Sequence, residues 1–120
     1  MADSAKEYTV RFADETRREF RGIGHAARVD ILAAVKKKLT TKPGEYGEPL
    51  RRDLVGYRKL PVGRWRVVYC VEEEQVLVLV LAVGKRAEGD HENIYDQVTR
   101  RDLDSRREEL RRKAGEVDAG

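Results

Sequence analysis

Apolar and polar positions first alternate at residues 8–12, where Thr9 and Arg11 separate Tyr8, Val10 and Phe12. Period two predicts a short strand. Asp14, a residue of N-cap type, then opens a helical segment to about Phe20 or Arg21, ended by Gly22 and Gly24. A second helix is predicted over 25–39, with Ile31, Leu32, Val35 and Leu39 as its apolar stripe. So short a link makes the two an antiparallel hairpin able to pack on a sheet. Pro43, Gly44, Gly47 and Pro49 mark 40–49 as a loop.

Most of the apolar payload lies in residues 54–86, LVGYRKLPVGRWRVVYCVEEEQVLVLVLAVGKR. Strands are predicted at 55–61, 64–71 and 76–83, joined by a Val62-Gly63 turn and an acidic turn over 72–75. The third is apolar at every position, which suits an interior strand covered on both faces. A further helix is expected to begin near His91 and to include Ile94, Tyr95 and Val98. From 100 to 113 the chain is almost all charge. The i,i+4 pairs Asp102–Arg106, Glu108–Arg112 and Glu109–Lys113 would support a solvated helix. Only Leu103 and Leu110 are apolar there, so this end has little reason to pack. The order β-α-α-β-β-β-α predicts an α+β fold. It is an antiparallel β-meander with an N-terminal strand and a helical hairpin on one face, followed by a C-terminal helix. Residues 1–99 are expected to form the domain, and 100–120 a charged helix or tail that belongs to it or extends into solvent.

A chain of 120 residues supports one core. Charged residues make up 39% and hydrophobic ones 40%, but the apolar residues are clustered, which argues against disorder throughout. A net charge of +3 permits a nucleic-acid partner without demanding one. The distribution says more: residues 51–66 hold six Lys or Arg against one acid, Asp53. The lone Cys70 makes no internal disulfide, which suggests a reducing, cytoplasmic setting. No secretory leader is expected, and the longest apolar run is too short to span a bilayer. Two histidines and one cysteine, far apart, give no metal-ligand spacing. Ser4 and Ser105 lie in polar terminal segments that do not suit a serine triad. No phosphate-binding glycine motif occurs, so no cofactor is implied.

A two-residue turn at Val62-Gly63 would set Lys59 opposite Arg66 on one face. Opposed like charges destabilise a sheet unless solvent screens them or an anion lies between. Arg86, just past the third strand, could close over the same face. Three cations there would suit a phosphate; spacing alone favours ordinary solvent-facing strand residues. Beside cations, the phenol of Tyr95 would titrate below its usual ~10; otherwise it is a core tyrosine anchoring the last helix. His91, four residues earlier, would share its face as an acid or base, or is a surface histidine in a polar loop.

The ordered set Gly63, Trp65-Arg66-Val67-Val68-Tyr69, Gly84-Lys85-Arg86 and Tyr95, after a helical-hairpin pattern, resembles RelE-type toxins of bacterial toxin–antitoxin systems. The resemblance covers about residues 8–98. It implies a ribosome-dependent mRNA endonuclease that inhibits translation, acting on mRNA in the ribosomal A site beside rRNA and silenced by a cognate antitoxin. The RNA's own 2′-OH would be the nucleophile, which needs no metal. On this analogy Arg66 stabilises phosphorane-like charge, and Arg86 assists it or helps the leaving oxygen. Lys59 transfers a proton or binds phosphate, and Tyr95 orients or deprotonates the 2′-OH. Arg58, Arg64, Lys85 and His91 would contact substrate. Two departures stand out. Tyr57 occupies the place of a second alternate cation, which leaves Arg58 and Lys59 both open as the first basic site. The loop that carries Asp90 and His91 looks longer than in compact members, which could put His91 in the role of Tyr95. The resemblance also admits a ParE-like DNA gyrase inhibitor, and the charged last helix a pure interaction module.

Overall fold

In the computed structural model, which describes residues 7–86 and 94–119, the chain runs through five strands and two helical layers. Strand β1 (Thr9–Phe12) leads into α1 (Asp14–Arg21) and α2 (His25–Ala34), which continues as a π-helical turn, Val35–Leu39. A four-residue helix, α3 (Pro43–Tyr46), and a two-residue strand, β2 (Glu48–Pro49), occupy the predicted loop. The meander follows as β3 (Arg58–Val62), β4 (Trp65–Glu72) and β5 (Leu77–Lys85). Helices α4 (Ile94–Gln97) and α5 (Arg100–Ala119) end the chain. The sheet order is β1-β5-β4-β3-β2, with β1 parallel to β5 and the other pairs antiparallel.

The helical hairpin packs on one face. Phe20, Ile31, Val35 and Leu39 meet Leu60, Val67, Tyr69, Val78, Val80 and Val83. Leu32, expected in that stripe, is 40% exposed. Asp14 is the first helical residue, not the cap: Ala13 holds that place, and Asp14 pairs with Lys113 at 2.7 Å. The first meander strand starts at Arg58 rather than at Val55, which is exposed. As its sequence suggests, β5 is an interior strand. Val78 to Val83 are all buried, each Val or Leu contributing roughly 1.5–3 kcal/mol of apolar burial.

The opposite face is covered by α4 and α5, with Leu103 and Leu110 buried against Cys70, Leu79 and Leu81. This reverses the expectation of a helix with no reason to pack. Positions 103, 106, 107 and 110 follow helical spacing, so one face carries all four. Two of them are arginines with partners. Arg106 pairs with Glu19 at 3.2 Å and Arg107 with Glu72 at 3.0 Å. Arg111 also pairs with Glu72, whose side chain is only 10% exposed. The expected Asp102–Arg106 pair is not made. Instead the Asp102 N–H donates to Thr99 Oγ1 and the Thr99 N–H to Asp102 Oδ2, both at 3.1 Å. This reciprocal cap restarts the helix at Arg100. Arg112 and Lys113 likewise turn to Glu109 and Asp14.

Candidate active site

The β3–β4 hairpin closes with Val62 opposite Trp65, so its loop residues are Gly63 and Arg64 rather than Val62 and Gly63. Gly63 takes a φ of 59° at the first loop position, where one of the primed hairpin turns carries glycine. The shift sets Pro61 opposite Arg66 and Lys59 opposite Val68. Lys59 and Arg66 therefore share a face as diagonal neighbours, not as directly opposed cations.

Arg58 points to the other face. Its Nη2 donates to the Gly44 and Gly47 carbonyls at 2.9 and 2.8 Å, and its Nε to the Tyr69 hydroxyl at 3.4 Å. Those bonds hold the segment around α3 against the sheet. Of the two candidates for the first basic position, Lys59 is the one on the face of Arg66. Tyr57 is buried under α5, its hydroxyl donating to Asp104. Burial and then that bond push its phenol up to about 12.

Lys59, Arg86 and Tyr95 line one groove of ≈ 580 Å³ with Leu54, Arg51 and Arg52. The Lys59 ammonium lies 5.6 Å from the Tyr95 ring centroid and 3.9 Å from Glu48 Oε1. That carboxylate is largely exposed, so the pair holds Lys59 only weakly. Arg66 Nη1 donates to the Gly63 and Trp65 carbonyls, each at 2.8 Å. Its buried Nε has no hydrogen-bond partner among the described residues. The guanidiniums of Arg66 and Arg86 both act on the Tyr95 phenol. Their pull does not win: burial raises the Tyr95 pKa above 10.0, Glu48 adds to the rise, and the two arginines offset only part of it. The expected lowering is thus reversed, and Tyr95 is a neutral phenol at pH 7.

Gly84 lets this assembly close. A Cβ there would lie 2.7 Å from Ile94 Cδ1, so only glycine lets α4, and Tyr95 with it, sit this near β5. The Arg86 N–H donates to the Arg64 carbonyl at 2.9 Å, tying the hairpin tip to the end of β5; the Arg64 side chain is exposed. Lys85 is not brought to the groove. It lies on the opposite face, its ammonium 5.7 Å from the Trp65 ring centroid. His91 and Asp90 lie outside the described residues.

Sequence reasoning counted Arg51 and Arg52 among the basic residues but gave them no site. Arg52 opens a 3-10 turn and Arg51 is the extended residue that caps it, so alternation along a strand could not place them. Arg52 holds a φ of 56°, a backbone state that costs a non-glycine residue on the order of 1 kcal/mol or more. Arg100 braces the turn, its Nη1 donating to the Asp53 and Val55 carbonyls at 3.1 and 2.6 Å. Cys70 has no part in the groove. It is buried and pushed up to about 12 by desolvation, which leaves no thiolate at neutral pH. Chemically, the groove offers convergent cations and a neutral hydroxyl, a set suited to a phosphodiester.

Comparisons with known proteins agree with this fold. The family model described as "ParE toxin of type II toxin-antitoxin system, parDE" matches residues 6–90. The chain is 36% identical over 85 residues to Toxin RelG of Mycobacterium tuberculosis, covering 68% of this chain and 93% of that one. Among solved structures, it resembles the RelBE2 toxin–antitoxin complex of M. tuberculosis, with a TM-score of 0.66 and 30% identity over 72% of this chain and 100% of that chain. It also resembles the isolated E. coli RelE toxin, with a TM-score of 0.57 and 25% identity over 75% of this chain and 93% of that one. The chain belongs to the RelE/ParE superfamily and is a toxin of a type II toxin–antitoxin system.

Proposed function

We propose that this toxin cleaves messenger RNA in the ribosomal A site, with the RNA's 2′-OH as nucleophile and no metal in the chemical step. One observation carries the reading: Lys59, Arg86 and Tyr95 line a single groove, with Arg66 acting on the same phenol. The 2′-oxygen forms a bond to the adjacent phosphorus and passes its proton to a nonbridging phosphate oxygen; the bond to the 5′-oxygen breaks and that oxygen takes the proton, leaving a 2′,3′-cyclic phosphate and a free 5′-hydroxyl. Arg66, whose guanidinium acts on the Tyr95 phenol beside the groove, stabilises the charge that builds on the equatorial oxygens. Preorganised cations aimed at developing charge supply a large share of catalysis in such sites. Arg86 supports the leaving 5′-oxygen, and Lys59 exchanges its weak contact with Glu48 for a phosphate oxygen. Tyr95, neutral, orients the 2′-OH rather than removing its proton.

A cognate antitoxin is the expected partner, as in the RelBE2 complex and in an E. coli RelE variant bound to an antitoxin peptide, the latter 26% identical with a TM-score of 0.59. Induced expression without the antitoxin should arrest growth and leave mRNA cut within translated codons. The ParE description of the matching family supports a second reading, inhibition of DNA gyrase. DNA-damage signalling with intact mRNA would select it.

A further inference from the structure

Strand β5 does not alternate regularly. Val78, Val80 and Val83 face the helical hairpin, while Leu79, Leu81 and Ala82 face α4 and α5. Leu81 is the extra residue: Tyr69 pairs with Val80 and Val68 with Ala82. A bulge of this kind flips every later side chain to the other face. With strict alternation, Leu79, Leu81, Val83 and Lys85 would share the groove face and Arg86 would leave it. With the bulge, Gly84 meets Ile94 and Arg86 lines the groove, while Lys85 goes to Trp65.

The bulge is held from both sides of the sheet where β1 has ended. The last β1 pair is Phe12 with Val80. Beyond it, α1 supplies the partners: Thr16 Oγ1 donates to the Val80 carbonyl at 3.3 Å, and Glu19 Oε1 accepts from the Val83 N–H at 3.0 Å. From α5, Arg106 Nη1 donates to the Leu81 carbonyl at 2.8 Å and to Glu19 Oε2 at 3.2 Å. The Glu19–Arg106 pair thus satisfies one backbone donor and one acceptor on either side of Ala82, groups that are costly to leave unpaired. Side-chain exposures of 28% and 15% shield the pair from solvent.

We propose that Glu19 and Arg106 are a positioning pair. Clamping the bulge at Leu81 and Ala82, they decide that Arg86, and not Lys85, is presented to the groove. The structural half stands on the strand geometry alone; the catalytic half rests on the RNA-cleavage reading. Arg106→Met removes the donor, and Glu19→Gln keeps the shape but has a single acceptor oxygen for the Val83 and Arg106 donors and no charge to pair with Arg106. The test is NMR of the full chain, following NOEs between the Lys85 side chain and the Trp65 ring, beside kcat and KM for cleavage on programmed ribosomes. Both variants should weaken those NOEs. They should lower kcat on the order of tenfold to a hundredfold with a smaller change in KM, as misplacement of a reacting-centre group does. Wild-type NOE intensity in both variants would overturn the clamp, and lost NOEs with unchanged kcat would overturn its role in the reaction. Global loss of dispersion in Glu19→Gln would also contradict it, since the pair would then hold the fold rather than one strand's register. A wild-type chain that cuts no RNA refutes the cleavage reading and leaves the NOE arm to decide the clamp.

Discussion

Gly84 and Ile94 approach so closely that a single methyl group would not fit between them: a Cβ at 84 falls 2.7 Å from Ile94 Cδ1 and 3.1 Å from its Cβ. Because Tyr95 is the next residue along α4, this contact sets how near its phenol comes to Arg66 and Arg86. Gly84→Ala should therefore cost about 1–3 kcal/mol of stability and also lower cleavage in chains that remain folded. Thermal melts with single-turnover cleavage check it; a stable, fully active Gly84→Ala chain would show that the contact does not position Tyr95.

The Tyr95 phenol titrates above its usual value because burial outweighs the two arginines. Its proton is therefore in place throughout the neutral range. A phenolate base would make the rate climb with pH as the group ionises. A neutral, orienting phenol adds no such climb below ~10. Tyr95→Phe should lower kcat by a similar factor from pH 6 to pH 9. A wild-type rate rising tenfold per pH unit over that range, and flat in Tyr95→Phe, would restore the base.

Glu72 anchors α5 through Arg107 and Arg111, which together hold its carboxyl below the usual range despite the opposing effect of burial. A carboxylate with a depressed folded pKa contributes stability that is complete above its unfolded value, near ~4.3, and lost as pH falls through the folded value. Urea melts of wild type should thus lose stability on going from pH 7 to pH 3 more steeply than those of Glu72→Gln. Parallel acid limbs in the two proteins would contradict the assignment.

Much of the fold was legible. Alternation located β1 and the meander, and helical spacing located the hairpin that covers it. The packing of α5 was hidden because two of the four positions on its buried face are arginines. Hydrophobic periodicity cannot see Arg106 and Arg107, whose acceptors, Glu19 and Glu72, lie far away in sequence. The site was legible in its residue types but not in its faces. Leu81 and Ala82 are both apolar, so nothing in the string marks the bulge that separates Lys85 from Arg86. The hairpin slipped by one because Gly63 was given the second loop position when its positive φ belongs to the first.

On the proposed reading, one groove, closed by Arg86 and not Lys85, performs RNA cleavage. The most direct measurement is single-turnover cleavage of A-site mRNA on programmed ribosomes by wild type, Arg86→Ala and Lys85→Ala, each released from its antitoxin. Arg86→Ala should slow cleavage roughly 100- to 1,000-fold, as loss of a transition-state charge stabiliser does, while Lys85→Ala should keep most of the wild-type rate. Equal losses in the two variants, or a larger loss in Lys85→Ala, would contradict it.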